Sequence, residues 1–465
     1  MKRAMLCILA FGFFLVSGCA DRAKKAFERG VSASQKGEYD SAITYFTEAI
    51  RLAPKHADAY YNRGVAYGNK GELDNAIADF TEAIRLDPKH TKAFYSRGTA
   101  YGNKGEYDKA ITDFTEAIRL NPEDADAYYN RGLAYGDKGE YDKAIADYTE
   151  AIRLNPKNAL VYCNRGDAYN RQGEHDKAIA DFTEAIRLDP KYANAYNNRG
   201  IAYKGKGKLD RAIADYTKAI YLDPKYADAY NNRGIAYKRK GSLDRAIADY
   251  TEVIRLDPKY VAAYNNRGWA YENKGDHDKA IADYTDAICL DPKYVDAYYN
   301  LGITYKGKGE YDKAIADFTE VIHLAPKDAD AYYNRGVAYG NKGEFDDAIA
   351  DYTEVIRLDP KDADAYYNRA AAYGNRGEYD KEIADYTEAI RLDPKDADAY
   401  YNRGVAYGNK GEYDKEIADY NEAIRLNPKD ADAYYNRGKS YEKRGNKAKA
   451  DEDFVQAKKL GYKAP

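Results

Sequence analysis

Cysteine, methionine and tryptophan are nearly missing from this chain, with four Cys, two Met and one Trp in 465 residues. So few cysteines exclude a disulfide-stapled scaffold. Neither sign of charge dominates: 73 basic and 77 acidic side chains leave a formal net charge of −4. That balance excludes a strongly basic nucleic-acid binder. The apolar run Ala4 to Val16 has 13 residues, short of the about 20 that a membrane-spanning helix needs. Mean hydropathy is low, −0.81, which alone would allow disorder. The aromatic content of 14%, including 51 Tyr, argues against it, because disordered chains lack the apolar mass that offsets ordering entropy. At ~150 residues per domain the length suggests about three domains.

The first residues form an address. Lys2 and Arg3 precede the apolar run, which has the length of a secretory core and ends in Leu15-Val16-Ser17-Gly18-Cys19. Small residues directly before a Cys resemble a bacterial lipoprotein signal. The resemblance implies removal of residues 1–18, lipidation of Cys19 and an anchored stretch over residues 19–22. Several acyl chains on one residue hold stably, since each buried CH₂ contributes ~0.8 kcal/mol. Ala20 rather than Asp follows the Cys, which in that family favours the outer membrane of the bacterial envelope. An ordinary signal cut after Gly18, with Cys19 incidental, is the other reading.

The prolines give the period. Pro54, Pro88, Pro122, Pro156 and their successors to Pro428 recur every 34 residues, so thirteen units fill residues 23–464. Three domains therefore give way to one linear array. The unit Ala125–Asn158 shows the pattern. Tyr128, Gly132 and Tyr135 form one helical stripe, and Ile145, Tyr148 and Ile152 form another with Ala144 and Ala151. Lys138-Gly139 suits a left-handed cap between them, and Asn155-Pro156 stops the second helix. The spacing predicts helices of about 14 and 13 residues per unit. Neither buries its stripe alone, so units must stack.

At repeat positions 4, 8, 11, 20, 24, 27 and 32 stand Tyr128, Gly132, Tyr135, Ala144, Tyr148, Ala151 and Pro156. This resembles the tetratricopeptide repeat. The resemblance implies an all-α fold, an α-solenoid wound as a right-handed superhelix of helix-turn-helix units. It also implies a concave groove lined by positions 2, 5, 6, 9 and 13. Position 7, Leu in the family, is Arg in twelve units and Leu only at Leu301. Position 23 is Asp in every unit but the first. An Arg–Asp ladder, such as Arg131 with Asp147, is one expectation; Arg lying along the surface with its head in water is the other. Asp451 and Lys458 in the last unit stand where others have Ile. That polar face reads as a capping repeat, so the array is expected to be complete, with no fused catalytic domain.

Position 6 is Asn in eleven units. Asn130, Asn164, Asn198, Asn232, Asn266, Asn300, Asn334, Asn368 and Asn402 are the candidate peptide-binding residues. Each offers one acceptor and two donors, the complement of a peptide group. The column resembles the Asn ladder of O-linked N-acetylglucosamine transferase repeats. Exposed residues copied by duplication without use are the alternative. Trp269 at position 9 is a candidate anchor or a simple exchange for the aliphatic residues found there elsewhere. In the middle units position 5 becomes Asn197, Asn231 and Asn265, Tyr appears at unit boundaries, and Lys204, Lys238 and Lys306 take position 12. Asp330, Asp364, Asp398 and Asp432 give the later units an acidic edge. Glu382 and Glu416 replace the close-packed Ala of position 20, and Ala370 replaces the Gly of position 8; locally looser packing is expected there.

Catalysis and metals find no support in the sequence. The five His show no ligand pairing. Cys163 and Cys289 are too far apart in a stack to bridge, and the Gly-rich runs are inter-helix turns. No cofactor and no small-molecule substrate are expected. The expectation is a lipid-anchored envelope scaffold binding protein or peptide segments, in envelope assembly, secretion or pilus biogenesis. The alternatives are a self-associating structural protein and a non-catalytic accessory subunit of an envelope enzyme.

Overall fold

The computed structural model describes residues 20–463. The signal over 1–18 and the lipid-bearing Cys19 lie outside the described residues. Those described form twenty-six helices in thirteen pairs and no strand. Two compact units are present, one up to Ala236 and one from Tyr237; the same rules build each.

The helices follow the repeat. In the first compact unit α7 spans Ala125–Asp137, α8 spans Tyr141–Leu154 and α9 spans Ala159–Arg171. The first helix of the repeat is thus 13 residues long and the second 14, the reverse of the expected lengths. The second helix runs on to Leu154 because only the following Asn155-Pro156 forbids helical backbone. Asp124 caps α7, accepting from the backbone N–H groups of Asp126 and Ala127 at 3.1 Å. Gly139, at φ 77°, turns the chain, and the Glu140 N–H closes back on the Tyr135 carbonyl at 2.9 Å.

Stacking buries what one pair cannot. Ala144, Tyr148 and Ala151 of one unit pack with Val161 and Ala168 of the next, with Tyr128, Tyr135, Ile145 and Ile152 around them. Gly132 is required by contact: a Cβ there would sit 2.7 Å from the Tyr148 ring. The same crowding should be felt at Ala370, which does carry a Cβ. Ala370, Tyr386 and Glu382 are nevertheless all buried, and the helix pair packs as closely as its neighbours. The expected loosening is therefore not found. The Tyr367 and Tyr386 rings come to 5.3 Å at 73°, against 5.9 Å and 62° for Tyr333 and Tyr352. Ring adjustment takes up the extra methyl.

The Arg–Asp ladder is present. Arg131 donates from Nε and Nη2 to both oxygens of Asp147, at 2.8 and 2.7 Å. Its Nη1 donates to Thr115 Oγ1 of the preceding unit at 3.0 Å. Its guanidinium lies 5.7 Å from the Tyr128 ring centroid. The hydrogen bond to Asp147 holds the guanidinium above its ordinary value, against the opposing effect of burial. Asp147 is 6% exposed, so the surface alternative for Arg does not hold. The pattern repeats at Arg63, Arg97, Arg165 and Arg199, and in the second compact unit at Arg267, Arg335, Arg369 and Arg403.

Leu301 breaks the ladder. It is buried beside Ala280 and Tyr284. Asp317, the carboxylate that an Arg at this position would hold, has its Oδ2 buried without a hydrogen-bond partner. Burial pushes the Asp317 carboxyl up to about 7. A folded-state value above the ordinary 3.8 means that the group favours folding only while protonated. Its penalty is absent below about pH 4, grows as pH rises, and is full above about pH 7. Leu301→Arg is expected to restore the joint. Denaturant unfolding should show a gain of about 2 kcal/mol at pH 8, reduced by exposure and strain from the full linkage value, shrinking toward zero near pH 4. A gain independent of pH would refute the orphaned-acid account.

Candidate functional site

Within each compact unit, the face carrying the candidate residues holds clefts between successive repeats. In the first compact unit one cleft of about 310 Å³ is lined by Leu133, Gly136, Tyr141 and Tyr148 of one unit and by Asn164, Asp167 and Arg171 of the next. Another, of about 250 Å³, has Val65, Gly68, Ala76 and Phe80 on one side and Ser96 and Thr99 on the other. The second compact unit repeats the arrangement, with Val337, Gly340, Phe345 and Tyr352 facing Asn368 and Asn375. Repeat positions 9, 12, 17 and 24 of one unit and 6, 9 and 13 of its successor therefore form these clefts, with position 20 added at Ala76.

The Asn column lies on this face, half-buried except for the buried Asn334, but its donors point inward. Asn130 Nδ2 donates to the Tyr95 hydroxyl at 2.9 Å and to the Asp126 carbonyl at 2.8 Å. Asn164 donates to the Tyr129 hydroxyl at 2.9 Å. Asn334, Asn368 and Asn402 do the same to Tyr299, Tyr333 and Tyr367. Where position 5 is Asn, the amide oxygen takes the hydroxyl's place: Asn232 donates to Asn197 Oδ1 and Asn300 to Asn265 Oδ1, at 3.2 and 3.0 Å. Asn198 reaches Cys163 Sγ at 3.9 Å. Asn266 holds the same repeat position, half-buried. The Asn side chains thus tie each unit to its predecessor. Among the described residues no donor reaches the Oδ1 of Asn130, Asn164, Asn368 or Asn402. What these offer a ligand is an acceptor, not the full peptide complement. At Asn334 the acceptor is taken by Lys306 Nζ at 2.6 Å.

Trp269 lies half-buried on the same face, with Lys238 Nζ 3.7 Å from the ring centroid. Desolvation, and next the neighbouring Arg239, hold this ammonium below its ordinary value; burial does the same to Lys306. The boundary tyrosines also find their reason. Tyr192 lies against Cys163, and Tyr226 against Asn197, in the units whose position 5 has lost its own Tyr. His56 and His90 stack similarly on Phe27 and Tyr61 at 4.8 Å. A boundary ring thus packs beside position 5, against an aromatic at Phe27 and Tyr61 and beside the smaller Cys163 and Asn197 elsewhere. Among the described residues the free cysteines are Cys163, buried, and Cys289, exposed.

Sequence reasoning missed a second joint. Lys138 Nζ reaches Asp108 Oδ1 of the preceding unit at 2.6 Å, and Lys104 and Lys342 repeat this with Asp74 and Asp312. The constant spacing of 30 residues was its signal. These bridges are exposed and contribute little each. Also missed was the depth of the position-20 carboxylates. Glu382 and Glu416 are each 7% exposed, and the Oε2 of each has no partner. A Cβ on Gly374 would meet Glu382 Oε1 at 2.6 Å, and one on Gly408 would meet Glu416 Oε1 at 2.5 Å. Both carboxyls therefore lie against the position-12 glycine, the position that lines the clefts at Gly136 and Gly340.

Burial pushes the Glu382 carboxyl up to about 7. Burial raises Glu416 too, and the neighbouring Ser440, Lys443 and Tyr420 oppose the shift. Both groups favour folding while protonated and oppose it once ionised. Glu382→Ala is expected to raise the melting temperature above about pH 7 and to leave it unchanged near pH 4. Glu416→Ala should give a smaller gain. Calorimetric scans across that range check both, and equal gains at all pH values would contradict the burial account.

The comparisons agree with this architecture. Tetratricopeptide repeat models match residues 27–91, 95–159, 231–295, 295–328, 329–362, 147–180, 351–384 and 431–460. A TPR repeat model matches 166–207, 202–241, 375–411 and 409–445. Among curated proteins none matches. Solved structures similar to this chain include a tetratricopeptide repeat protein from Parabacteroides merdae, 22% identical over 53% of this chain and 98% of its own, TM-score 0.45. MamA is 31% identical over 37% of this chain and 94% of its own, TM-score 0.35. YrrB, described as a TPR protein with an unusual peptide-binding site, is 26% identical over 40% and 95%, TM-score 0.34. The repeat models run almost without a break from residue 27 to residue 460, and the chain belongs to the tetratricopeptide repeat family.

Proposed function

We propose that the chain is a scaffold without chemistry of its own that holds protein or peptide segments along its row of clefts. The observation that carries this reading is the cleft repeated between units, with an Asn acceptor on one wall and an apolar position 9 on the other at Asn164 with Leu133 and at Asn368 with Val337. Acceptors at a regular spacing suit the backbone N–H groups of an extended segment, whatever its side chains. Trp269 and the partly desolvated Lys238 add a local anchor in the second compact unit. The setting is proposed from the first residues: a lipid on Cys19, the bacterial cell envelope and its outer membrane, in assembly, secretion or pilus biogenesis.

Two experiments test this. A photoreactive residue at Trp269 or at Asn368 is expected to capture one protein in intact envelopes, identified by mass spectrometry. Capture of this chain alone would replace the reading with a self-associating structural protein, and capture of nothing would remove it. Cys19→Ser is expected to move the protein from the membrane fraction to the soluble one. Unchanged membrane binding would refute the lipid anchor.

A further inference from the structure

Glu382 and Glu416 are unusual in being costly. Ten of the thirteen units carry a fully buried Ala at position 20 between Ala42 and Ala348. Replacing it by an acid buries a carboxyl without supplying the partners it needs. The two substitutions fall in consecutive units and at the same point of the cleft wall. Each carboxyl is nine-tenths buried with one oxygen unpartnered. Ser440 takes position 10 in the unit after Glu416, where most units have Ala, and its hydroxyl donates to the Asn436 carbonyl at 2.8 Å; the corresponding residue after Glu382 is Ala406. No cation of the chain satisfies Glu382 among the described residues.

We infer that the clefts holding Glu382 and Glu416 are paired subsites for basic side chains, Lys or Arg, of a bound peptide segment. The inference rests on the cleft-binding reading above and gives its ligand a chemistry. One carboxylate per cleft suits an ammonium or guanidinium, each of which brings donors and no acceptor. A metal ion does not fit, because the acids sit one to a cleft, and no group of three His, Cys, Asp or Glu among the described residues could hold one. The exposed Asp398 and Asp432 stand at position 2 in the two units following these acids and extend the negative field outward. Lys238 and Lys306, on the same face of earlier units, repel the same ligand groups, so the preference is local. Consecutive clefts repeat at about the 10 Å spacing of packed helices. An extended chain covers that in about three residues, so the expected ligand carries two basic residues about three apart.

Panning short random displayed peptides on the full chain and on its Glu382→Ala/Glu416→Ala variant tests this. The variant restores the residue that the other units use, and its fold is checked by circular dichroism. Wild type is expected to enrich peptides with Lys or Arg pairs at that spacing, and the variant to recover peptides without them. By fluorescence anisotropy at about pH 8, a wild-type-selected peptide should bind the variant roughly tenfold more weakly or worse, the value of a charged hydrogen bond. Changing its two basic residues to Gln should weaken binding to wild type by a similar factor and leave binding to the variant unchanged. Equal Lys and Arg content in the two pools, or equal affinities, would overturn the acidic subsites while leaving cleft binding intact. Enrichment of no peptide by either protein would overturn both.

Discussion

Within each compact unit, most joints of the stack depend on a guanidinium placed where the family has Leu. Arg131 satisfies both oxygens of Asp147, reaches back to Thr115, and lies along Tyr128. One planar group thereby fixes its own second helix and the second helix of the preceding unit. Burying such a pair is expensive, and the cost is offset only because nearly every donor and acceptor is matched. A leucine would pack the same gap without demanding any angle. The guanidinium demands a particular register, and copying it along the array repeats that register. Asp317 shows what the arrangement risks: with Leu301 in place of the guanidinium, the remaining carboxyl is driven toward its neutral form.

The second consequence concerns what the cleft face has left to offer. An Asn on a groove wall invites the assumption that all its polar atoms face outward. Here the amide donors are turned to the Tyr of the preceding unit and, at several positions, to the carbonyl four residues back. The same residue thus serves the stack with its nitrogen and leaves its oxygen to the cleft. Position 5 is Phe in the first unit and Tyr, Cys or Asn after it, and an acceptor for the next Asn is kept at Tyr95, Cys163 and Asn197. Structural use and ligand binding are therefore compatible on one side chain, provided that the ligand donates.

Much of this was legible in residue spacing. The 34-residue proline period, the Gly139 turn and the Arg131–Asp147 pairing all follow from local rules that each unit obeys. The direction of the Asn amides was not legible, because it depends on a hydroxyl 35 residues away whose distance no periodicity states. The boundary tyrosines were visible as an oddity, but their reason required seeing that Tyr192 meets Cys163 and Tyr226 meets Asn197. Glu382 looked like a disruption because an acid is larger than alanine. In three dimensions the space against Gly374 accepts it, and what it strains is electrostatics rather than packing.

That distinction bears on where function resides in an array of near-copies. A residue repeated in most units is explained by the stack, as Arg131 and the Asn amides are. A departure with a physical cost is not explained by copying. Leu301 removes a partner and Glu382 adds a need for one, and in both cases the protein as it stands keeps a carboxyl that opposes folding at neutral pH. The two sites differ in what surrounds them. Asp317 faces a buried Leu, and a residue substitution within the chain relieves it. Glu382 lies against the glycine at the cleft wall, so a cation arriving from outside can relieve it without any change in the chain. Ligand binding there would remove a penalty already present in the free protein, and that gives the cleft its preference for a positive charge.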